Sequence, residues 1–483
     1  MNRYEAGVRQ HGTHRELAGQ GEPGESPQAD ALDLDAIIVP GTRPAAYLDH
    51  AVTLARAAKC SLVILCSHYL HTCEVKEYLD ARSFRAAIVI ELPAEYSHPL
   101  FDFRGLLSIK DRLPPARGNH VTDLSMKRNV GLVLAKMLGW QRIFFLDDDI
   151  RDIAYQDLQR TVDMLGSFSA AGMWVTEFPD NSIVCHANRI TGGSQDVFVS
   201  GAALAVDCES YIGFFPDIYN EDWLFFFDAA SKGMLGNSCL KATQLYYYPF
   251  ANAERAAWQE FGDVLAEGLY ALVHLDLDVA EATSAYWEVF LKARRNFLEG
   301  TLSRADEALP DMRDEIKASL KSALECLEEI TPDLCARYVE AWRQDLEQWK
   351  RRWAEIPAMP SVDAALAELG LMTMPANSRK RILHPQDRAA LLPAPGEVAI
   401  PRFETLREMA ERYSAQRLGS RVRDENLDGR RPVTLLHDQG QRRRRERVLA
   451  TSHWSWVMTT VHISVIYCHS AAMRIFSRGR VST

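Results

Sequence analysis

The sequence lacks the features of a secreted or membrane-spanning protein. Residues 1–30 carry charges, glycines and prolines where a signal peptide needs an apolar segment. The late apolar stretch from Trp456 to Cys468 is too short to cross a bilayer and contains His462. The nine cysteines include no CxxC pair, the spacing that many metal and redox motifs use. We therefore expect a cytoplasmic protein with reduced, buried thiols.

An excess of positive charge is also missing. The formal net charge is −10 at pH 7, and the composition, 47% hydrophobic and 25% charged, is that of an ordinary globular protein. Because nucleic-acid binding requires a basic face, we expect no nucleic-acid partner. The exception is the run from Arg442 to Arg445, which leaves open a peripheral contact between the basic tail and anionic lipid.

No internal repeat divides the 483 residues, and their number exceeds what one hydrophobic core usually organises. The polar, Gly/Pro-rich character of residues 1–33 predicts a disordered N-terminal segment. We expect an α/β domain over residues 34–275, a helical extension over 276–356, a linker and helical arm over 357–420, and a basic, poorly patterned tail over 421–483.

Short apolar runs alternate with helical patterns in the first half of the chain. The runs AIIVP, SLVILC and AAIVIEL predict parallel strands. Thr122 or Asp123 is placed to cap the helix LSMKRNVGLVLAKML, which Gly139 ends, and QRIFFL predicts the next strand. The runs MWVTEF, SIVCHA, VFVSGAALAV and QLYYYPF predict further strands. The pattern favours an α/β fold with a mainly parallel, Rossmann-like sheet and helices on both faces.

Three adjacent carboxylates, Asp147, Asp148 and Asp149, follow the buried strand IFFL. Open α/β sheets bind their ligands at the carboxyl ends of their strands. Carboxylates held this close repel one another unless a cation lies between them, and hard divalent cations prefer carboxylate oxygens. We predict that Asp147 and Asp149 bind Mn²⁺ or Mg²⁺, which leaves Asp148 for the ribose or sugar. The alternative is a solvated turn.

The segment around these aspartates resembles a known family. Arg128-Asn129-Val130-Gly131, Ala135, Gly139 and IFFLDDD are similar to the RNxG…A…G…FLDxD segment of glycosyltransferase family 2 and its GT-A relatives. IIVPGTRPAAYL resembles the VPTYNRPxxL first strand of that family, and the likeness covers about residues 36 to 250. The resemblance implies a GT-A fold and a nucleotide-sugar site formed by Pro40, Gly41, Thr42, Arg43, Arg128, Asn129, Asp147 and Asp148.

The segment GFFPDIYNEDWLFFF resembles the acceptor side of the same family, where an acidic pair begins a helix. The resemblance implies that Asp222 is the general base, with Glu221 as the fallback. A positioned carboxylate is needed there because an acceptor hydroxyl is a poor nucleophile until its proton is removed. The alternative is a helix start decorated with acids, which the helix dipole favours. Ser200 and Gly201 are weaker donor-site candidates.

Parts of the chain depart from the family pattern. The strand SLVILC is not followed by the acid of the family's DDGS motif, so the nucleotide is left open. No QxxRW motif is present, which argues against a processive polysaccharide synthase. His186 and His274 are isolated on apolar stretches, so we expect each to be a structural residue rather than a metal ligand. Glu260 and Asp263 belong to the segment QEFGDVLAEGL, and we expect them to lie on the solvated face of a helix.

These observations predict a metal-dependent glycosyltransferase that moves a sugar from a nucleoside-diphosphate donor to a hydroxyl acceptor with inversion. One alternative is a sugar-phosphate nucleotidyltransferase, although the loop after its first strand would normally be glycine-rich and here contains only Gly41. The other alternative is a non-catalytic GT-A-like binding protein.

Overall fold

A computed structural model of the chain describes residues 17–20, 32–114, 122–176, 182–193, 199–210, 213–308 and 310–372. By internal contacts the chain divides into one unit over Met1–Arg381 and another over Ile382–Thr483, and the described residues lie in the first. Most of the predicted disordered segment, most of the predicted linker and the whole basic tail lie outside the described residues. The predictions made for them, including the apolar stretch and the arginine run, stay predictions.

Strands and helices are interspersed among the described elements up to the last strand, and the elements after it are helical. The strands are β1 (Gly19–Gln20), β2 (Ala36–Gly41), β3 (Ser61–Cys66), β4 (Ala87–Glu91), β5 (Arg142–Leu146), β6 (Ile150–Arg151), β7 (Ala170–Thr176), β8 (Ala203–Asp207) and β9 (Leu235–Gln244). The helices are α1 (Asp49–Ala58), α2 (Thr72–Ala81), α3 (Arg104–Ile109), α4 (Leu124–Leu138), α5 (Tyr155–Asp163), α6 (Ile183–Ile190), α7 (Glu221–Phe225), α8 (Phe227–Ser231), α9 (Glu254–His274), α10 (Ser284–Arg304), α11 (Pro310–Glu329), α12 (Pro332–Glu355) and α13 (Val362–Glu368).

The strands form one mixed sheet in the order β1-β9-β7-β8-β5-β2-β3-β4, with β6 paired to β9. The strands β5, β2, β3 and β4 run parallel to one another. Strand β8 is antiparallel to both β5 and β7, whereas β9 is parallel to β7 and β1. The predicted α/β class is confirmed at this level. Because β8 runs against β5, the start of β8 lies beside the end of β5.

Both faces of β2 are covered by helices. Ile37 and Val39 belong to a buried cluster that includes Val52 and Ala55 of α1. On the other face, a Cβ added to Gly131 of α4 would lie 3.0 Å from Ile38 Cγ2. The missing side chain therefore allows α4 to pack closely on the sheet. Helix α4 ends at Gly139, whose φ of 69° is the left-handed cap that the sequence predicts.

Two of the predicted strands were wrong. SIVCHA lies in α6, where the Ser182 hydroxyl accepts a hydrogen bond from Cys185 N at 3.2 Å and caps the helix. QLYYYPF contains only the last residue of β9, because that strand lies upstream over LGNSCLKATQ. Both segments are short apolar runs, for which periodicity alone does not separate a strand from a buried helix or loop.

The described cysteines are free thiols, and most are buried. Cys73 and Cys239 are exposed, contrary to the expectation that the thiols are buried. In the part of the chain that the structure describes, no helix is both long and apolar enough for a membrane crossing.

Candidate active site

The candidate site lies where the ends of β2 and β5 meet the start of β8 and the first turn of α7. Asp147, directly after β5, donates its backbone N–H to the carbonyl of Ala202 at 2.9 Å. Gly201 N donates to Asp222 Oδ2 at 2.7 Å. The structure thus brings the triple aspartate and the Glu221–Asp222 pair to one edge of the sheet, although they are far apart in sequence.

Arg128, on α4, connects these two acidic groups. Its Nη2 donates to both carboxylate oxygens of Asp147 at 2.9 and 3.1 Å, and its Nη1 donates to Glu221 Oε1. Only 2% of the residue is exposed. Burial by itself would lower the pKa of Arg128, but the charges of Asp147, Glu221 and Asp222 outweigh burial and raise the pKa. A permanent cation therefore lies between the predicted donor and acceptor sides.

Arg43 neutralises the other two aspartates. The backbone N–H groups of Thr42 and Arg43 both donate to Asp148 Oδ2 at 2.8 Å. The guanidinium donates to Asp148 Oδ1 and, at 2.9 Å, to Asp149 Oδ2. Gln244 Nε2, at the end of β9, also donates to Asp149 Oδ2, at 3.3 Å. Thr42 and Arg43 therefore lie at the aspartates, and their backbone N–H groups are already bonded to Asp148. Their predicted contact with a nucleotide-sugar stays a prediction.

These contacts change how the triple aspartate is understood. The predicted repulsion among the carboxylates is partly relieved by two guanidinium groups, so repulsion alone is weaker support for a bound cation than the sequence suggests. The charged form of Asp149 is still disfavoured. Burial, and to a smaller extent the charges of Asp148 and Asp147, raise the pKa of this carboxyl group to about 6, although Arg43 opposes the shift.

Lys127 anchors the loop that follows β2. Its Nζ donates to Gly41 O at 2.8 Å and to Thr42 Oγ1 at 3.2 Å, and it pairs with Asp123 at 3.1 Å. The side chain is fully buried. A Cβ on Gly41 would lie 2.3 Å from Leu70 Cδ2, so packing already accounts for this glycine. Its neighbour Pro40 lies within β2. The sequence marks Lys127 only by its place beside the arginine and asparagine.

Asn129 faces the segment before the acidic pair. Its Nδ2 donates to Phe215 O at 2.8 Å, and its Oδ1 accepts from Phe215 N at 2.8 Å. These two hydrogen bonds join the Asn129 side chain to the backbone of Phe215 and attach that segment to α4. Asn129 is 1% exposed. The geometry gives Asn129 a structural role, and its predicted contact with a nucleotide stays a prediction.

The two acids of the pair have different surroundings. Glu221 is 7% exposed and bonded to Arg128, whereas Asp222 is half-buried. Asp222 Oδ2 accepts from Gly201 N and Oδ1 accepts from Trp223 N, at 2.7 and 2.9 Å. Burial raises the pKa of both carboxyl groups, and Arg128 opposes it. A Cβ at position 201 would come within 2.8 Å of Asp222 Cβ, which explains the glycine.

Ser200, the neighbouring donor-site candidate, is 1% exposed, and its Oγ accepts from Ala202 N at 3.1 Å. It thus shapes the turn before β8. Of the predicted histidines, His186 is fully buried, lies 3.2 Å from Arg189 Nη2, and has a pKa that burial lowers well below the ordinary value. The structural role predicted for His186 stays a prediction.

The residues that could hold a divalent cation are Asp147 and Asp149. Their oxygens are the hard ligands that Mn²⁺ and Mg²⁺ prefer, and the side chain of Asp147 is 22% exposed. Asp149 is shared with Arg43, so a cation would have to replace that guanidinium. In the described ranges, three ligand atoms of different residues cluster within 4.8 Å only at Cys185, Asp263 and Glu267. There Arg294 pairs with both acids at 3.0 and 3.2 Å and supplies the positive charge.

No protein-family model matches the chain, and no curated protein matches it either. What the site can do chemically therefore rests on its geometry. Two kinds of carboxylate are present. The triple aspartate at the end of β5 is paired with arginines, and the half-buried Asp222 accepts hydrogen bonds from backbone N–H groups. The first kind suits a polyanionic ligand with a cation, and the second suits proton abstraction.

Proposed function

We propose that this chain is a divalent-metal-dependent glycosyltransferase of GT-A type, which moves a sugar from a nucleoside-diphosphate donor to a hydroxyl acceptor. One observation carries the proposal: buried Arg128 joins Asp147 to the Glu221–Asp222 pair, so that a donor-side acid and a candidate base face one site. The sheet, with β5, β2, β3 and β4 parallel and β8 antiparallel, is proposed to be Rossmann-like.

Donor binding is assigned to the triple aspartate and the loop after β2. Asp147 and Asp149 would hold Mn²⁺ or Mg²⁺, and a bound cation neutralises the charge that builds on the departing diphosphate. The guanidinium of Arg43, whose side chain is 41% exposed, would turn from Asp149 to the phosphates, for which its fork of donors is suited. Asp148, buried against Thr42 and Arg43, would fix the loop and face the ribose or sugar.

Proton removal is assigned to Asp222 rather than Glu221. Glu221 is held in an ion pair with Arg128, whereas Asp222 is half-buried and its described side-chain hydrogen bonds come from backbone N–H groups. The acceptor oxygen would bond to the anomeric carbon while its proton passes to Asp222 and the sugar–phosphate bond breaks on the opposite face. This single displacement inverts the anomeric configuration.

Binding of donor and metal is the direct test. We expect a nucleoside diphosphate sugar, from a panel of UDP, GDP and dTDP sugars, to raise the melting temperature in the presence of Mn²⁺. A ligand at ~100 times its Kd stabilises a fold by about 2.7 kcal/mol. The variant Asp147→Asn should lose most of this shift. The control Asp80→Asn, at an exposed residue of α2, should keep it.

Two further measurements separate the alternatives. Release of pyrophosphate from a sugar 1-phosphate and a nucleoside triphosphate would identify a nucleotidyltransferase. Absence of any shift across the panel, with no binding by isothermal titration, would favour a non-catalytic binding protein.

The pH dependence of transfer follows from Asp222. A general base must be deprotonated, and burial raises the pKa of Asp222 above the ordinary aspartate value of 3.8. Activity should therefore fall as pH decreases through this raised pKa, so the acid limb of kcat/KM lies above pH 3.8. Rates measured through the acidic range, at pH values where the melting temperature is unchanged, check this. A limb at or below the ordinary value would contradict it.

A further inference from the structure

The acidic pair begins directly after a residue in a strained conformation. Asn220 precedes α7 with φ 62° and ψ 36°, the left-handed region. Residues other than glycine adopt this region at a cost, and asparagine tolerates it better than most. Its backbone carbonyl accepts from Trp223 N at 3.1 Å and starts the helix. The direction in which Glu221 and Asp222 leave the chain therefore depends on this residue.

Helix α9 holds both sides of the acidic pair. On one side, Asn220 Nδ2 donates to Asp263 Oδ1 at 2.9 Å. On the other side, Tyr270 Oη donates to the carbonyl of Trp223 at 3.0 Å. Asp263 and Tyr270 are 2% and 0% exposed, so water does not compete for these bonds.

Close backbone contact supports the same arrangement. A Cβ on Gly262 would lie 2.2 Å from the carbonyl oxygen of Tyr219. That neighbour is backbone and cannot rotate away as a side chain would. The helix therefore approaches the segment before Asn220 as closely as a glycine allows.

Asp263 is in turn fixed by a buried cation from α10. Arg294 Nη2 donates to Asp263 Oδ2 at 3.0 Å. The same guanidinium forms two bonds of 2.8 Å with Glu260 and lies 3.2 Å from Glu267. Glu260 and Asp263 are 0% and 2% exposed, so their prediction as a solvated helix face was wrong. One oxygen of Asp263 thus points to the rigid network and the other to Asn220.

We propose that Asn220, Asp263 and Tyr270 are positioning residues, through which the helical region after the sheet orients the general base. The role in catalysis rests on the proposed function, whereas the tether itself does not. Asp222 meets Gly201 N only if the first turn of α7 is held in place, and α9 holds that turn at both ends.

The variant Asn220→Gly tests the tether without straining the backbone. Glycine adopts the left-handed region freely, so the fold should survive while the bond to Asp263 is lost. We expect kcat to fall about 10- to 100-fold, since small misplacements of a reacting group have effects of this size. The KM for the donor should stay near its wild-type value. Tyr270→Phe, which removes only the hydroxyl, should act in the same direction.

A second readout does not depend on activity. In the wild-type protein Gly201 N–H is bonded to Asp222, and its hydrogen exchange should quicken in Asn220→Gly by more than the accompanying loss of global stability explains. The control is Asn252→Gly, which removes an exposed side chain that accepts from Glu254 N at the start of α9. It should leave kcat and the exchange of Gly201 unchanged.

The outcomes separate the two proposals. Wild-type exchange at Gly201 and wild-type kcat in Asn220→Gly would overturn the positioning role. If hydrogen exchange at Gly201 were faster in Asn220→Gly but the wild-type protein transferred no sugar from any donor, the tether would be retained and the glycosyltransferase proposal rejected.

Discussion

Replacing Asp222 with asparagine should reduce turnover by about 10²- to 10⁴-fold, the usual contribution of a positioned general base. The amide is nearly isosteric and keeps one oxygen to accept from Gly201 N or Trp223 N, so the fold should change little. Donor affinity should stay nearly intact, because the donor is assigned to the triple aspartate and Arg43. Steady-state transfer rates, together with thermal shifts by Mn²⁺ and the donor, measure the two effects separately.

Two further variants give this result its meaning. Asp217→Asn makes the same chemical change at an exposed position of the same segment and should keep wild-type turnover. Glu221→Gln replaces the carboxylate partner of Arg128 with a neutral amide and should weaken stability and donor binding together, since Arg128 also holds Asp147. If Asp222→Asn lost donor binding and turnover equally, Asp222 would be structural or on the donor side. Retention of the anomeric configuration would contradict single displacement.

The parts of the site that the sequence predicts are those with local signals. A buried strand followed by three aspartates, a helix ended by Gly139, and an acidic pair at a helix start are all readable within a few residues. The rule that ligands bind at strand ends places the triple aspartate at one edge of the sheet, whereas the acidic pair is joined to it only through the family resemblance. Neither Arg128 as the connecting cation nor Arg43 as the partner of Asp149 is local, because each joins residues from different elements.

Other features lie outside what local patterns contain. Strand β8 places Gly201 beside Asp147 only because it runs antiparallel to β5, and alternating apolar runs do not specify strand direction. The charges of Glu260 and Asp263 suggest a solvated helix face, yet both are buried, and α10 supplies the compensating Arg294 from a distant position in the chain. Whether a charged residue is buried depends on the tertiary structure. A buried charge needs a compensating partner, and the local sequence does not identify that partner.

Among the variants proposed for this protein, Arg294→Met should lower the free energy of unfolding most. It leaves Glu260, Asp263 and Glu267 buried without a cation, and breaking a buried ion pair in this way costs about 3–5 kcal/mol. The control is Arg295→Met on the same helix, whose pair with Glu328 is largely exposed at 39% and 66%. Such pairs contribute about 0–1 kcal/mol. Chemical denaturation of both variants measures the free energy of unfolding.

The loss in Arg294→Met should also depend on pH with a definite sign. Burial already raises the pKa of Glu260 to about 7 and of Glu267 to about 8, although Arg294 opposes it. A carboxyl group whose folded pKa exceeds its unfolded value of 4.5 favours folding below that value, and the advantage is lost as pH rises through the folded pKa. Without Arg294 both folded values rise further, so the variant should lie closest to wild-type stability near pH 5 and fall increasingly behind as pH rises through 7 and 8. A loss that is equal across this pH range would mean that Arg294 acts by packing rather than by charge, and the tether from Asp263 to Asn220 would then need another anchor.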